Sequence, residues 1–352
     1  MLGRVRLSML QRARAACERP VVRALLRTPI LRRRLARGRT EPVEGETLDE
    51  ELAALLALDD VTRDSDLRGR TPARARRKLA ESVRVVDGAP VTGVTAREET
   101  VGGVRARLYV PDDLAGPSAG IVYFHGGGWV TGDLDSHDRL CRRLAQLGGV
   151  RVLAVDYRLA PEHPFPAAVD DALAAFRGAA ADAARLGLDP TRLGVAGDSA
   201  GGNLSAVVAR RTRGEAQRPA LTGLIYAAVD ATRSSQSHRT FGARYLLTAS
   251  MIDWYLGHYT DPSHHRDPDV SPLLAEDVGG VGTTLVYTAH FDPLRDEAEA
   301  YARRLSDAGV EAKVRRFPNL VHGFAVLGGA SRAADAATDE IARELGATLR
   351  LA

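Results

Sequence analysis

The sequence predicts an α/β fold: a mostly parallel central sheet flanked by helices, with a helical cap. From about residue 105 onward, short apolar runs alternate with longer stretches of helical character. Strands separated by helices of this length need right-handed crossover connections, which make a sheet mostly parallel. Two segments, 45–90 and 233–270, break this rhythm. The chain has 352 residues, 45% of them hydrophobic, which is enough apolar material for a large core.

Short apolar runs locate the strands, and the stretches between them locate the helices. The predicted strands are Val104–Val110, Ile121–Phe124, Val150–Val155, Leu193–Ala196, Leu221–Ala227, Leu285–Ala289 and Val310–Phe317. The predicted helices are Leu134–Leu147, Ala167–Leu186, Gly201–Arg211 and Pro293–Ala308.

The two segments outside this alternation are predicted to form a cap over the sheet end where functional loops gather. The first contains a predicted helix, Leu48–Leu58, and an Arg-rich stretch. The second carries large residues at helical spacing: Tyr245, Leu246, Leu247, Met251, Ile252, Trp254, Tyr255 and Tyr259. This aromatic content favours a substrate-facing lid over the alternative of surface decoration. The expected organisation is a basic extension (1–40), cap (41–90), core (91–232), cap (233–270) and core (271–352).

Positive charge is concentrated at the N-terminus. Residues 1–40 hold twelve arginines and one acidic residue, a balance of +11, against 36 basic and 44 acidic residues in the remainder, a balance of −8. Such an extension can contact an anionic membrane surface weakly. The alternative is a solvated Arg-rich segment, which Pro20 and Pro29 favour because they interrupt any long helix. A nucleic-acid partner is not expected.

The sequence also predicts a cytoplasmic location. Arginines interrupt every apolar run before it reaches the length of a signal-peptide core, and no run is long enough to span a membrane. Cys17 and Cys141 have neither metal-ligand spacing nor a disulfide framework around them. No metal ion or cofactor is expected, because a His-x-x-x-His pair on a convincing helix and a phosphate-binding loop are both absent.

A candidate nucleophile, Ser199, lies in the segment Gly197–Gly201, between a predicted strand and a predicted helix. A serine presented this way sits on a tight, strained turn, and the flanking residues must be small because strand and helix nearly touch there. The pattern G-x-S-x-G alone is a modest signal. Its position between a strand and a helix makes the signal considerably stronger.

A glycine run, Gly126–Gly128, follows His125 and the strand Ile121–Phe124. Ester hydrolysis passes through a tetrahedral intermediate that bears an oxyanion, and glycines let backbone N–H groups point at that oxygen. The expected donors are Gly127, Gly128 and Ala200, each worth roughly 3 to 4 kcal/mol of barrier. Alternatively, the glycines form an ordinary tight loop. That alternative would not explain why the glycine run and the serine turn occur in the same chain and in the expected order.

The general base is predicted to be His322, which lies just beyond the last predicted strand. The acid is predicted to be Asp292, so that the chain order is serine, acid, histidine. Alternatively, Asp292 caps the N-terminus of the following helix, and Pro293 lies in the first turn of that helix. His290, which lies close to the acid, is the alternative base. The other candidates are expected to lie away from the reaction: His125 in the glycine loop, Asp296 and Glu297 in the following helix, and His137, His258, His264 and His265 on the surface or lid.

Five motifs, in this order, resemble those of the bacterial hormone-sensitive-lipase-like (family IV) carboxylesterases. They are His125–Trp129, Asp156–Pro166, Gly197–Gly201, Asp292–Glu297 and His322–Phe324. The resemblance covers about residues 45–350. It implies the α/β-hydrolase fold with a helical cap, the triad and oxyanion donors named above, and esterase activity without a metal or cofactor.

The resemblance also implies that Asp156–Pro166 is a structural arch in which Arg158 and Glu162 are paired or hydrogen-bonded. The segment Ala227–Asp230 departs from the family's usual tyrosine-proline, so the cap entrance is expected to differ. The basic extension is also atypical of the family.

The predicted function is hydrolysis of short- to medium-chain carboxylic esters by a Ser-His-Asp triad through an acyl-enzyme. An amidase, deacetylase or lactonase would use the same triad. A non-catalytic small-molecule-binding relative is the alternative from a different class, and the retained His322 argues against it. The expected partners are a small ester substrate and, through an exposed edge strand, a second copy of the chain.

Overall fold

The central sheet has eight strands, six of which run parallel. A computed structural model describes residues 28–62 and 67–352. The strands are β1 (Val94–Val101), β2 (Val104–Pro111), β3 (Ser118–Phe124), β4 (Arg151–Val155), β5 (Leu188–Asp198), β6 (Leu221–Ile225), β7 (Thr283–Phe291) and β8 (Ala312–Val321). Their spatial order is β1-β2-β4-β3-β5-β6-β7-β8. Strands β3 to β8 run parallel, whereas β1 and β2 are antiparallel to their neighbours, which confirms the predicted sheet.

The described residues contain eleven α-helices. They are α1 (Pro29–Ala36), α2 (Glu50–Thr62), α3 (Pro72–Val86), α4 (Asp138–Gly148), α5 (Ala167–Ala181), α6 (Ala183–Leu186), α7 (Ala200–Thr212), α8 (Gln236–Phe241), α9 (Ala249–Tyr259), α10 (Arg295–Asp307) and α11 (Arg332–Leu351). The predicted helix Ala167–Leu186 is divided at Asp182. Helix α4 begins four residues later than predicted, because Asp133 and Ser136 bond to each other's backbone N–H and close a turn there.

Strand β1 was not predicted, because its sequence lacks an apolar alternation. The middle of VTAREETV is polar, and only the terminal valines, Val94 and Val101, are buried. Gly102 and Gly103, with φ of 55° and 79°, connect it to β2. Two successive left-handed residues are the geometry of a tight hairpin turn, which explains the antiparallel edge of the sheet.

Helix α11 was also missed, although its apolar positions recur at helical spacing. Ala334, Ala337, Ile341 and Leu345 are all buried. Where α11 crosses α4, a Cβ added to Gly346 would lie 2.1 Å from the carbonyl oxygen of Gly148. The close approach of the two helices covers one face of the sheet.

The side chains of β3 show how the sheet separates two apolar cores. Ile121 and Tyr123 pack in a cluster with residues of α4 and α11. Val122 and Phe124, which point to the opposite face, pack with residues of α5 and α7. This alternation along a fully buried strand is what a parallel sheet covered on both faces requires.

The predicted functional residues lie at the carboxyl ends of four parallel strands. The glycine loop follows β3, Ser199 follows β5, Asp292 follows β7 and His322 comes directly after β8. Because parallel strands end at the same edge of a sheet, this topology brings residues far apart in sequence together.

The N-terminal region and the two predicted cap segments lie outside the sheet. Residues 1–27 of the predicted basic extension, including Cys17, lie outside the described residues. Helix α1 rests beside α2, where Arg32 Nε donates to Glu50 at 3.1 Å. The two cap segments touch, since Trp254 Nε1 donates to the carbonyl of Arg70 at 3.2 Å. Within the described ranges, no helix combines the length and apolar character needed to cross a bilayer.

Candidate active site

Ser199 lies on a strained turn between β5 and α7. Its backbone has φ 54° and ψ −117°, a conformation that an L-residue adopts only when its surroundings enforce it. A Cβ added to Gly201 would lie 1.8 Å from the carbonyl oxygen of Phe124, and one added to Gly197 would lie 2.4 Å from Gly201. The small flanking residues are therefore a steric requirement of the turn.

His322 lies between Ser199 and Asp292 in an unbroken chain of contacts. Its Nε2 is 3.0 Å from Ser199 Oγ, and its Nδ1 is 2.9 Å from Asp292 Oδ2. Asp292 is fully buried. Its second oxygen, Oδ1, accepts the N–H of Leu294 at 2.8 Å, and α10 starts only at Arg295. Asp292 thus closes the turn before the helix with one oxygen and holds the imidazole with the other.

The ring of His322 is supported from below by Tyr226. The two ring centroids are 4.7 Å apart, and Tyr226 makes an edge contact of 5.0 Å with Phe324. Tyr226 has a positive φ of 39°, so the chain leaving β6 is also strained next to the site. The contact with Tyr226 and the contacts of both ring nitrogens hold the imidazole in the orientation that faces Ser199.

Two of the other histidines have clear structural roles. His290 Nε2 contacts the carbonyl of Val43 at 3.0 Å. His137 was predicted to lie on the surface or the lid, and this prediction was wrong: it is buried, 5% exposed, beside Asp198. The turn formed by Asp133 and Ser136 places it at the start of α4, inside the protein.

The glycine loop is bent so that the N–H groups of Gly127 and Gly128 remain unused. Gly127 and Gly128 have φ of 117° and 59°. Within residues 28–62 and 67–352, no group accepts a hydrogen bond from either N–H. Ala200 is the first residue of α7, where a helix offers its N–H no intrahelical acceptor. All three residues line the same cleft as Ser199.

Asp198, the residue before Ser199, anchors this loop. It is 4% exposed, and its Oδ1 accepts the N–H of Gly126 at 2.8 Å and the hydroxyl of Tyr123 at 2.7 Å. His137 Nε2 lies 3.3 Å from the same oxygen. A Cβ added to Gly126 would lie 2.3 Å from Asp198 Oδ2, so the loop is packed directly against the carboxylate.

The charges of Asp198 and His137 stabilise each other. Burial acts to raise the pKa of Asp198, but the charge and hydrogen bond of His137, the hydroxyl of Tyr123 and the charge of His125 together outweigh it, and the pKa lies below its ordinary value. Burial acts to lower the pKa of His137, but Asp198 and Asp133 together outweigh it, and this pKa is raised. Burial and the neighbouring His137 lower the pKa of His125. The carboxylate next to Ser199 and the imidazole of His137 therefore each favour the charged form of the other.

A cleft of about 840 Å³ opens beside Ser199. The first cap segment contributes the apolar side chains of Leu55, Leu58, Leu79, Val83 and Val86. The second contributes Leu246, Leu247, Met251, Ile252, Tyr255 and Leu256. Much of the cleft wall is thus hydrocarbon supplied by the two segments that lie outside the sheet.

The expected aromatic lining is only partly present. Of the aromatic residues predicted for the lid, Tyr255 lines the cleft. Tyr259 is instead fully buried and stacks on Trp129 with ring centroids 4.3 Å apart. Tyr245 packs against Phe291 at 5.1 Å. Helical spacing identified the helix, but Tyr245 precedes α9, and Tyr255 and Tyr259, one turn apart on the same side of it, differ in which of them reaches the cleft.

A polar group at one end of the cleft was not predicted. Glu297, expected to point away from the site, lines the cleft and is 1% exposed. Its Oε2 is 2.7 Å from His238 Nε2, and its Oε1 accepts the N–H groups of Val229 and Asp230. Burial raises the pKa of Glu297. This carboxylate supports the loop after β6, where the sequence departs from the usual tyrosine-proline.

The arch residues Arg158 and Glu162 are both ion-paired, as expected, but their partners lie outside the arch. Arg158 Nη2 donates to Asp171 at 2.8 Å. Glu162 accepts two hydrogen bonds from Arg76 of α3. The arch is therefore tied both to helix α5 and to the first cap segment.

Comparison with known proteins gives a consistent result. Residues 121–326 match a family model described as an α/β-hydrolase fold. The chain is 39% identical to the carboxylic ester hydrolase LipN of Mycobacterium tuberculosis, over 90% of this chain and 88% of the relative. It is 38% identical to an ethyl acetate hydrolase of Pseudomonas putida, over 82% and 95% of the two chains.

Solved structures give the same picture. A hyperthermophilic esterase from the archaeon Pyrobaculum calidifontis superposes with a TM-score of 0.79 at 36% identity, covering 85% of this chain and 98% of its own. An ester hydrolase from the metagenome of Lake Arreo superposes with a TM-score of 0.81 at 38% identity, covering 86% and 99%. The chain therefore belongs to the α/β-hydrolase family, among its hormone-sensitive-lipase-like carboxylesterases.

Proposed function

We propose that this serine ester hydrolase uses Ser199 as nucleophile, His322 as general base and Asp292 as the residue that orients the imidazole. The observation that carries the proposal is the relay of 3.0 Å from Ser199 Oγ to His322 Nε2 and 2.9 Å from His322 Nδ1 to Asp292. With its Nδ1 proton held by the buried carboxylate, the imidazole has a free electron pair on Nε2. That electron pair can accept the serine proton.

The reaction proceeds in two halves. Ser199 Oγ attacks the ester carbonyl carbon while its proton moves to His322 Nε2; the alcohol then leaves with that proton, and an acyl-enzyme remains. In the second half, water attacks the acyl carbon, its proton moves to His322, and the carboxylic acid leaves as Ser199 regains a proton. Asp292 stabilises the imidazolium in both halves.

The oxyanion of each tetrahedral intermediate is proposed to be held by Gly127, Gly128 and Ala200. The unused N–H groups of Gly127 and Gly128 and the first N–H of α7 support this role. Such donors stabilise charge without reorganising during the reaction, and each is typically worth about 3 kcal/mol.

Segments 41–90 and 233–270 are proposed to form the cap that binds the ester's hydrocarbon part. The cleft volume of about 840 Å³ and its apolar walls support short- to medium-chain acyl groups. A series of p-nitrophenyl esters from acetate to dodecanoate measures this depth. A kcat/KM maximum at dodecanoate would contradict the assignment.

The triad is tested by the variant Ser199→Ala. We expect hydrolysis of p-nitrophenyl butyrate to fall to nearly background, together with loss of covalent labelling by a fluorophosphonate. The exposed Ser263→Ala is the matched control and should keep both properties. Unchanged turnover in Ser199→Ala would refute the mechanism, and a wild-type protein that is not labelled would favour the non-catalytic relative.

Residues 1–40 are proposed to make weak contact with an anionic membrane surface. In α1, Ile30 is 79% exposed and Leu31 is 41% exposed, next to an exposed Arg33. Exposed apolar side chains beside arginines are typical of interfacial helices. Full-length protein should co-sediment with phosphatidylglycerol vesicles but not phosphatidylcholine vesicles, and I30S/L31S should bind less. Equal sedimentation with both lipids would exclude this contact.

A homodimer through β8 and a cytoplasmic location are further proposals. In the described part of the chain β8 pairs only with β7, and Val314 on it is 46% exposed. Light scattering should give twice the monomer mass, and Val314→Asp should shift it toward the monomer.

The buried free thiol of Cys141 fits a reducing compartment, which cell fractionation would check.

A further inference from the structure

Arg76, on cap helix α3, reaches across the cleft wall to the chain beside the glycine loop. Its Nε donates to the carbonyl of Val130 at 2.7 Å, and its Nη2 donates to the carbonyl of Ala160 at 2.7 Å. The guanidinium also binds both oxygens of Glu162, at 2.9 and 2.6 Å. One side chain thus makes four hydrogen bonds to residues 54 to 86 positions away.

Helix α3 has little apolar anchorage of its own. Of its fifteen residues, only Ala75 and Val83 are buried. Yet the helix supplies Leu79, Val83 and Val86 to the cleft wall. Since burial of so few side chains fixes a helix weakly, polar contacts must contribute much of what holds it in place.

The turn that receives Arg76 is closed without it. The N–H groups of Val130 and Thr131 both donate to the carbonyl of Gly127, at 3.2 and 2.9 Å, and Thr131 Oγ1 donates to the same oxygen. Asp198 holds the loop at its other end. The glycine loop is therefore closed without Arg76, whereas Arg76 ties α3 to the chain beside that loop.

We propose that Arg76 and Glu162 form a latch that holds α3 over the apolar part of the cleft and thereby sets the affinity for longer acyl chains. The latch rests on the proposed role of the cap in binding the ester. Arg76 and Glu162 are positioning residues, because they act on the substrate through the side chains of α3. The ion pair is partly solvent-exposed, 29% and 51% for the two side chains, so it can open without unfolding the core.

The experiment compares p-nitrophenyl acetate with p-nitrophenyl hexanoate. Each buried methylene is worth roughly fourfold in binding. In Arg76→Ala we expect KM for hexanoate to rise about tenfold, while kcat and KM for acetate stay within about twofold. Arg77→Ala, an exposed neighbour on the same helix, should change neither substrate. Arg76→Lys, which cannot reproduce the forked contacts, should lie between wild type and Arg76→Ala.

Glu162→Gln alters the acidic partner of the latch. This variant replaces Arg76→Ala in the experiment if Arg76→Ala does not fold. It should raise KM for hexanoate by a smaller factor and accelerate amide hydrogen exchange in α3. An unchanged hexanoate-to-acetate KM ratio in these variants would overturn the latch. So would an equal fall of kcat for both esters, because that would assign Arg76 to the glycine loop. If the wild-type protein did not hydrolyse p-nitrophenyl acetate, the proposed triad would be contradicted instead.

Discussion

Asp198 offers a sharp test of how the surroundings of Ser199 are built. Replacing it by alanine removes the acceptor for the N–H of Gly126 and the hydroxyl of Tyr123, and it removes the partner of His137. Replacing it by asparagine keeps an oxygen at the same place but removes the charge. The two variants therefore separate the loss of hydrogen bonds from the loss of charge.

The magnitudes follow from burial, since Asp198 is 4% exposed. A buried donor left without an acceptor costs about 1–3 kcal/mol, and breaking a buried ion pair costs about 3–5 kcal/mol. These terms share one carboxylate and do not simply add. We expect Asp198→Ala to lower the free energy of unfolding by about 4 kcal/mol, and Asp198→Asn by about 2 kcal/mol.

Urea unfolding at neutral pH measures the stabilities, and steady-state hydrolysis of p-nitrophenyl butyrate measures kcat. Because Gly126 begins the glycine loop, we expect kcat of Asp198→Ala to fall about tenfold or more, whereas Asp198→Asn should retain much of it. A stability change below about 1 kcal/mol with kcat within twofold of wild type would refute the anchoring role.

The pH dependence of the same variants checks the charges. The lowered pKa of Asp198 contributes stability above its unfolded value, near 3.9, which is lost as pH falls through the folded pKa. The raised pKa of His137 contributes stability below its unfolded value, near 6.5, which is lost as pH rises through the folded pKa. The advantage of wild type over Asp198→Asn should therefore be larger at about pH 5.5 than at about pH 8.5. An advantage that grows with pH would contradict the ion pair.

Three substitutions test single positions. Asp292→Asn should lower kcat by about 10⁴ while the protein stays folded, because the wrong imidazole tautomer would face the serine. A near-wild-type rate would mean that Asp292 only closes the turn. Gly201→Ala would place a Cβ 1.8 Å from a backbone oxygen of β3 and should cost about 3 kcal/mol or more in urea unfolding, whereas Gly214→Ala, with open space around it, should cost little. Gly128→Ala would place a Cβ 2.3 Å from the ring of Tyr255 and should lower kcat about tenfold or more. An unchanged kcat in this variant would disprove the expected effect.

The order of strands and the residues that follow them could be predicted because their signals are local. A buried strand is an apolar run, and the candidate residues Ser199, Asp292 and His322 come directly after such runs. Parallel topology then brings the three strand ends to one edge without further information. Strand β1 could not be predicted in this way, because its pairing with β2, and not an apolar pattern of its own, defines this polar edge strand.

The charged residues around the site could not be predicted for the opposite reason. Asp198 and His137 are 61 positions apart, and Arg76 and Glu162 are 86 apart. A sequence rich in arginine and acidic residues offers many equally plausible pairs. Which of them meet is decided by helix orientation and loop geometry, as the turn that carries His137 inward demonstrates.

The chemical machinery and the cap are held by different kinds of interaction, and this difference has a consequence. Asp292 and Asp198 are buried, and the glycine loop is closed by its own backbone. Helix α3 depends on a half-exposed ion pair and little buried apolar surface. Weak denaturation should therefore loosen the cap before it disturbs the triad. In urea well below the unfolding midpoint, KM for hexanoate should rise while kcat for acetate is still unchanged. A parallel decline of the two parameters would mean that cap and core unfold as one unit.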